Sequence, residues 1–417
     1  MKITKITGRE IFDSRGLPTL ECELILDNAH GFTASVPSGK STGTHEAHEL
    51  RDGGKRLGGM GVQQAIENIE QQIAPTFIGK EPEIVSADLQ LITLDTTEDK
   101  SNLGANAILA VSSAILKAQA ALEGLQAFEL IAGLCDIDQV SLPIPLVNII
   151  NGGAHAENNL KIQEFLVVAK GQQTVRGSLE AVATLFYEMR ALLQKKGKST
   201  LLGDEGGFAP DLKDDYEALD TLMEAIKIVQ KKYDHDFVIA LDVAANSFYN
   251  KKTKTYDLYD KKLSTDDMIA WYEKIAAQYP LFSIEDGLHE EDFEGWARLT
   301  QKLGATVQIV GDDLFTTNQN RIAQGLEKGL ANAVLIKPNQ IGTITETLQA
   351  VALCHQHELN TIVSHRSGET EETLIVDLAI GTCAGQTKLG GLARGERIAK
   401  YNQLLRIEDR LSFSILE

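Results

Sequence analysis

The chain has 417 residues, 43% of them apolar, enough to bury a large core and long enough to favour two domains over one. A formal net charge of −19 argues against nucleic acid or anionic membrane as a generic partner, because both are held by clustered Lys and Arg; it leaves room for an anionic small substrate where metal ions invert the local field. The four cysteines, Cys22, Cys135, Cys354 and Cys383, show no C-x-x-C spacing, so neither a disulfide framework nor a cysteine zinc site is expected, and a reducing cytoplasm is the simplest setting.

Met1 to Lys5 alternate without an apolar segment behind them, and no stretch is expected to reach bilayer-spanning length, so no export signal and no membrane span are predicted. Leu20, Cys22, Leu24 and Leu26 alternate with Thr19, Glu21, Glu23 and Ile25 as a half-buried strand does. The turn "NAHG" then leads to a second strand from Phe32 to Val36. The run "GANAILAVSSAILKAQAALEG" reads as a long helix closed by Gly124. Two prolines punctuate "CDIDQVSLPIP", and the domain boundary is placed there, giving an α+β domain over 1–134 and a second domain over 135–417.

Beyond that boundary, strand-length runs alternate with amphipathic helices. The runs are "FLVVA", "FVIALD", "LFSIED", "VQIVGDD", "AVLIKP", "TIVSH" and "QTKLGG", with "STDDMIAWYEKIAAQY" and "TETLQAVALCHQHE" among the helices. So many β/α units predict a closed α/β barrel, with an open doubly wound sheet as the alternative.

In such a barrel, function collects at the C-terminal ends of the strands. The runs end on Asp242, Glu285-Asp286, Asp312-Asp313, Lys337, His365-Arg366 and Lys388. A single acid in that position commonly caps the next helix. Three successive ones on one mouth would repel each other unless a cation sits among them. All-oxygen donors without Cys or His point to Mg²⁺, so Asp242, Glu285 and Asp312 are the candidate ligands, with Asp286 and Asp313 supporting them. Lys337 is either an amine snorkelling from a strand tip or a base whose pKa is depressed by a metal and by Lys388. The planar fork of Arg366, with the Ser367 hydroxyl, suits a phosphate or carboxylate; the plainer reading is a salt bridge to Glu369 or Glu371. Base, metal and anion clamp together suggest proton abstraction next to a carboxylate. "LLGDEGGFAP" offers Asp204-Glu205 among glycines as an acid, and "NGGAHAENNLKIQEF" offers His155, Gln163 and Glu164. Three other motifs fail on spacing: "VPSGKSTG" has Ala34 where a P-loop needs glycine, and neither "HEAHE" nor "CHQH" sets two histidines a helical turn apart.

Taken together, "FDSRGLPT", "VPSGKSTGTHEAHELRDGG", "SNLGANAILAVS", "NGGAHAENNLKIQEF", "GDEGGFAP", "SIEDGL", "VGDDLFTTN", "LIKPNQIGT", "VSHRSGETEE" and "AKYNQLLRIE" closely resemble the enolase family, in order from about residue 3 to 410, with a bacterial type as the best match. The resemblance implies a small N-terminal α+β domain and a C-terminal eightfold α/β barrel whose first units depart from strict βα order. It implies Mg²⁺-dependent, reversible dehydration of 2-phosphoglycerate to phosphoenolpyruvate. Lys337 is implied as the base and Glu205 as the acid, with Asp242, Glu285 and Asp312 on the tighter Mg²⁺ and Ser41 on a second that arrives with substrate. Gln163, Glu164, Arg366, Ser367 and Lys388 match substrate-contact positions, and His155 matches a loop histidine that closes over the site. A homodimer or a ring of dimers is implied, with Arg9 and Glu21 facing Glu396 and Arg406 of a partner. A cytoplasmic location follows, and the resemblance also allows a secreted or surface pool and a scaffold role in an RNA-processing assembly. Lys40, Lys161, Pro338 and the "GLARGE" segment depart from the family pattern without removing a catalytic group.

Overall fold

The computed structural model describes residues 1–414. The chain forms two compact units, one made of Met1–Ser141, Thr316–Gln319 and Ile336–Gly385, the other of Leu142–Phe315, Asn320–Leu335 and the chain from Gln386 onward.

The first unit begins with an antiparallel meander of β1 (Ile3–Phe12), β2 (Pro18–Leu26) and β3 (Gly31–Ser35). In β2, Leu20, Cys22, Leu24 and Leu26 are buried while Glu21, Glu23 and Ile25 are half-buried, as the alternation requires; Thr19 departs from it, being buried with its hydroxyl donating to the Val36 carbonyl at 2.7 Å. β1, which pairs along its whole length with β2, was not anticipated, since Thr, Lys and Glu leave its apolar alternation weak. Helix Ala105–Leu122 packs on β2 and β3. It starts after Gly104 (φ +94°) and stops before Gly124 (φ +74°), both in backbone that side chains rarely adopt. This helix corrects one expectation: by length and composition it could cross a bilayer, but 78% of it is buried inside the protein, which accounts for its apolar character as core.

Eight strands close a barrel. They are β4 (Ile144–Asn151), β5 (Glu164–Lys170), β6 (Asp236–Asp242) and, after a small sheet of β7 (Tyr249–Asn250), β8 (Thr255–Leu258) and β9 (Lys261–Leu263), β10 (Leu281–Glu285), β11 (Gln308–Gly311), β12 (Ala333–Ile336), β13 (Asn360–Ser364) and β14 (Gly385–Lys388). Their order around the barrel is β10-β11-β12-β13-β14-β4-β5-β6. The alternative of an open sheet is excluded. β5 runs antiparallel to both β4 and β6, so the barrel is not uniformly parallel. β4 was missed in the sequence because Pro143 and Pro145 read as punctuation; Pro145 instead lies near the start of the strand, where a missing N–H is tolerated. The hairpins β7–β9 were missed as well, because strands this short leave no apolar alternation to read.

Candidate active site

The register of the barrel sets the acids in a row. Glu164 at the start of β5 stands opposite Asp242 at the end of β6, and Asp242 stands opposite Glu285 at the end of β10. Because β5 is antiparallel, its first residue falls at the same edge as the last residues of its neighbours. Two residues back along β5 and β6, Leu166 and Ala240 join Leu146 and Val168 in an apolar cluster. On β10, β11 and β14 the matching layer is polar: Gln308 donates to Gln386 at 3.0 Å and lies 3.5 Å from the Ser283 hydroxyl. Side chains at the charged edge are thus backed by a packed interior.

Lys388, at the end of β14, is the cation of this row. Its Nζ donates to Asp242 Oδ2 at 2.9 Å and to both Glu285 oxygens at 2.9 Å, and lies 2.5 Å from Glu164 Oε2. Burial on its own would discharge the amine, but Asp242, Glu164 and Glu285 outweigh it and hold the pKa well above the usual lysine value. Lys388 is therefore charged, and it links two of the three predicted metal ligands. The carboxyl of Glu164 is pushed well up, first by burial and then by the Glu205 charge, so it favours its protonated form. Asn148 Nδ2 donates to its Oε1 at 2.9 Å. Gln163 joins the group through Nε2, 3.3 Å from Asp242 Oδ2, and through its backbone N–H to the Asp242 carbonyl at 2.9 Å.

Glu205 is enclosed in the segment "GDEGGF". Its Oε2 lies 3.3 Å from His155 Nδ1 and its carbonyl accepts from Gly391 N–H at 2.8 Å. Gly206 (φ +86°) has no room for a side chain, since a Cβ there would stand 2.8 Å from the Ala393 carbonyl. The glycines thus let the backbone bring Glu205 close to its neighbours, as the sequence suggested. His155, Glu164 and Glu205 each present one ligand atom within 4.8 Å of the others.

Asp312 neighbours two further acids. Its N–H and that of Asp313 donate to the two oxygens of Asp286, each at 2.9 Å. Asp286, Asp312 and Asp313 form the second set with ligand atoms within 4.8 Å of one another. Burial, then Asp313 and Asp312, push the Asp286 carboxyl well up. Of the predicted trio, Asp242 and Glu285 meet on Lys388, and Asp312 adjoins Asp286 and Asp313. The buried carboxyl groups of these sets outnumber the Lys388 ammonium, and their donors are all oxygen apart from His155. That donor set fits a hard divalent cation.

The remaining predicted residues lie in the first unit. Lys337 is buried, follows directly on the wholly buried β12, and donates its backbone N–H to Thr317 Oγ1 at 2.9 Å. Its φ of −132° and ψ of 106° are the extended geometry that a following proline enforces. Arg366 is also buried, and its fork is filled by Glu46: Nη1 donates to Oε2 at 2.9 Å and Nη2 to Oε1 at 3.1 Å. It also donates to Asn339 Oδ1 at 3.0 Å and to the Ser41 carbonyl at 3.1 Å. Glu369 accepts from the Arg366 backbone N–H at 2.9 Å, and the carboxylate gripped in the guanidinium fork is Glu46, which the plainer reading of a salt bridge to Glu369 or Glu371 did not include. Ser367 Oγ accepts from Lys40 N–H at 2.9 Å, which ties the Ser41 loop to Arg366 and Ser367. Gly39 permits this approach, because a Cβ there would lie 2.1 Å from Arg366 Nη2. Glu46 was missed: within "HEAHE" it was weighed only as part of a zinc motif. Arg9 pairs within its own chain, at 3.1 Å with Glu21 and 2.8 Å with Glu23.

The chain matches the family described as enolase, C-terminal TIM barrel domain, over residues 139–415, and that described as enolase, N-terminal domain, over residues 3–131. With a closed eight-strand barrel following a small N-terminal domain, and with buried acids gathered at strand ends, the chain belongs to the enolase family of lyase-type enzymes.

Proposed function

We propose that the chain catalyses the reversible dehydration of 2-phospho-D-glycerate to phosphoenolpyruvate and water. The observation that carries this reading is the register row of Glu164, Asp242 and Glu285 around the charged Lys388 in an enolase-family barrel. In this reading Lys337, as a neutral amine, takes the proton from C2, and Glu205, in its protonated form, gives one to the C3 oxygen. The C2–H and C3–O bonds break, the C2–C3 double bond forms, and water leaves. Arg366 and Ser367 bind the phosphate, the bidentate grip now made on Glu46 being the kind a phosphate would take. Retention of that pair and of the Ser41 loop favours a phosphorylated substrate over that of a racemase or cycloisomerase. Gln163, Glu164 and Lys388 contact the substrate, and His155, beside Glu205, closes over it.

Asp242, Glu285 and Asp312 would hold one Mg²⁺ and Ser41 a second, and when bound the ions supply the positive charge that makes a proton beside a carboxylate removable. We also propose a bacterial-type, cytoplasmic enzyme assembled as a homodimer or a ring of dimers. The test is absorbance growth from 2-phosphoglycerate as phosphoenolpyruvate forms. Growth should require Mg²⁺ and be abolished in Lys337→Ala and Glu205→Gln; an active Lys337→Ala enzyme would sink the base assignment.

A further inference from the structure

Away from the strand-end acids, the small sheet β7–β9 and the helices Asp215–Tyr233 and Thr265–Gln278 border a second cavity, of about 710 Å³. That volume lies in the range of small-molecule sites. Its walls include three aromatic rings, Tyr216, Tyr259 and Trp271, and its charges include Lys213, Lys261 and Lys274.

Four acids also line the cavity, Asp214, Asp215, Asp260 and Asp267, and three of them are held by backbone N–H groups. Asp214 accepts from Glu217 N–H at 3.0 Å and Asp267 from Ser264 N–H at 2.9 Å, each capping a helix. Asp215 accepts from the N–H groups of Lys161 and Ile162 at 2.9 and 3.1 Å. The ammonium groups are less committed: Lys274 lies 5.3 Å over the Tyr216 ring, and Lys213 stands 3.8 Å from Asp214 with its side chain 85% exposed. The wall is held in place, because the Asp215 N–H donates to the Tyr259 hydroxyl at 2.7 Å. Aromatic rings interleaved with ammonium groups in one cavity, even with Lys274 over Tyr216 and Trp271 beside Tyr272, are the chemistry that recognises a planar ring bearing an anionic group: a ring can stack and the cations meet the charge.

We propose that this cavity is a second ligand site, for a planar aromatic anion of mononucleotide size. The inference is independent of the reaction assigned to the strand-end residues.

Titration with adenosine 5′-monophosphate tests it, read by calorimetry and by tryptophan emission. The chain has two tryptophans, and Trp296 is fully buried, so an emission change reports on Trp271. The expected result is saturable binding with a change in emission, weakened roughly tenfold in the double variant Lys261→Gln/Lys274→Gln, since removing each ammonium costs about half a decade of affinity or more. Adenosine and inorganic phosphate, each alone, should bind far more weakly. Three results would overturn the proposal: no saturable binding of the nucleotide, equal binding by the double variant, or phosphate binding as well as the nucleotide does.

Discussion

Replacing Lys388 by methionine keeps the length of the side chain but removes the ammonium that Glu164, Asp242 and Glu285 share. At 2.9 Å and an effective dielectric of about 20, each ion pair carries roughly 6 kcal/mol of gross Coulomb energy. Desolvation of the ions offsets most of that, so the gross figure is no guide to the cost. The limit comes from protonation, because freed carboxylates escape repulsion by taking up protons. Neutralising one ordinary carboxyl at pH 7 costs about 4 kcal/mol, and Glu164 already favours its protonated form, so Asp242 and Glu285 set a range of about 4–8 kcal/mol. Above pH 5 the unfolded chain has these groups ionised while the folded variant keeps them protonated. The folded variant binds more protons, and its stability rises as pH falls. Between pH 7 and 5 the deficit against wild type should shrink by about 3–5 kcal/mol. Thermal melts in EDTA from pH 5 to 8 measure it, with a midpoint loss on the order of 10 °C at pH 7. A deficit below about 1 kcal/mol, or one that does not change with pH, would refute the argument that Lys388 compensates the row.

Two other perturbations probe the first unit. Glu46→Gln leaves an amide against the Arg366 fork but removes the charge, so inorganic phosphate should bind roughly tenfold more tightly; inhibition constants against 2-phosphoglycerate report it, and weaker binding would show that Glu46 positions Arg366 instead of competing with the anion. Asp377, in helix Leu374–Gly381, is pushed up to about 7 chiefly by burial, against 3.8 ordinarily. Its folded form holds a proton that the unfolded chain loses above about pH 4, so it stabilises at acid pH and that stability drains away as pH rises to about 7. Asp377→Asn should flatten this slope and be the more stable protein at pH 8 by up to a few kcal/mol; melts at pH 5 and 8 check the sign.

Much of the barrel was legible because most of its strands are compact apolar runs ending in a charge, a pattern that burial on both faces produces. Ile144–Asn151 escaped because its prolines carry a local signal of turn, which only pairing with Gln386 to Lys388 overrides. The strand ends themselves could be read off as positions. Which acids meet could not, since that depends on register and on side-chain reach: the Asp286 carboxylate collecting the Asp312 and Asp313 amides is a loop conformation with φ of +46° at Asp286, and no spacing announces it. The Glu46 partnership with Arg366 spans 320 residues and was equally invisible.

In the proposed reaction Lys337 removes the C2 proton in a step separable from loss of the C3 hydroxyl, to which Glu205 gives a proton. Exchange of the C2 hydrogen of 2-phosphoglycerate with deuterated solvent, followed by NMR in the presence of Mg²⁺, separates the two steps. Exchange should persist in Glu205→Gln, which forms no phosphoenolpyruvate, and vanish in Lys337→Ala. Exchange that survives in Lys337→Ala, or is lost in Glu205→Gln while substrate still binds, would rule out these roles for the two residues.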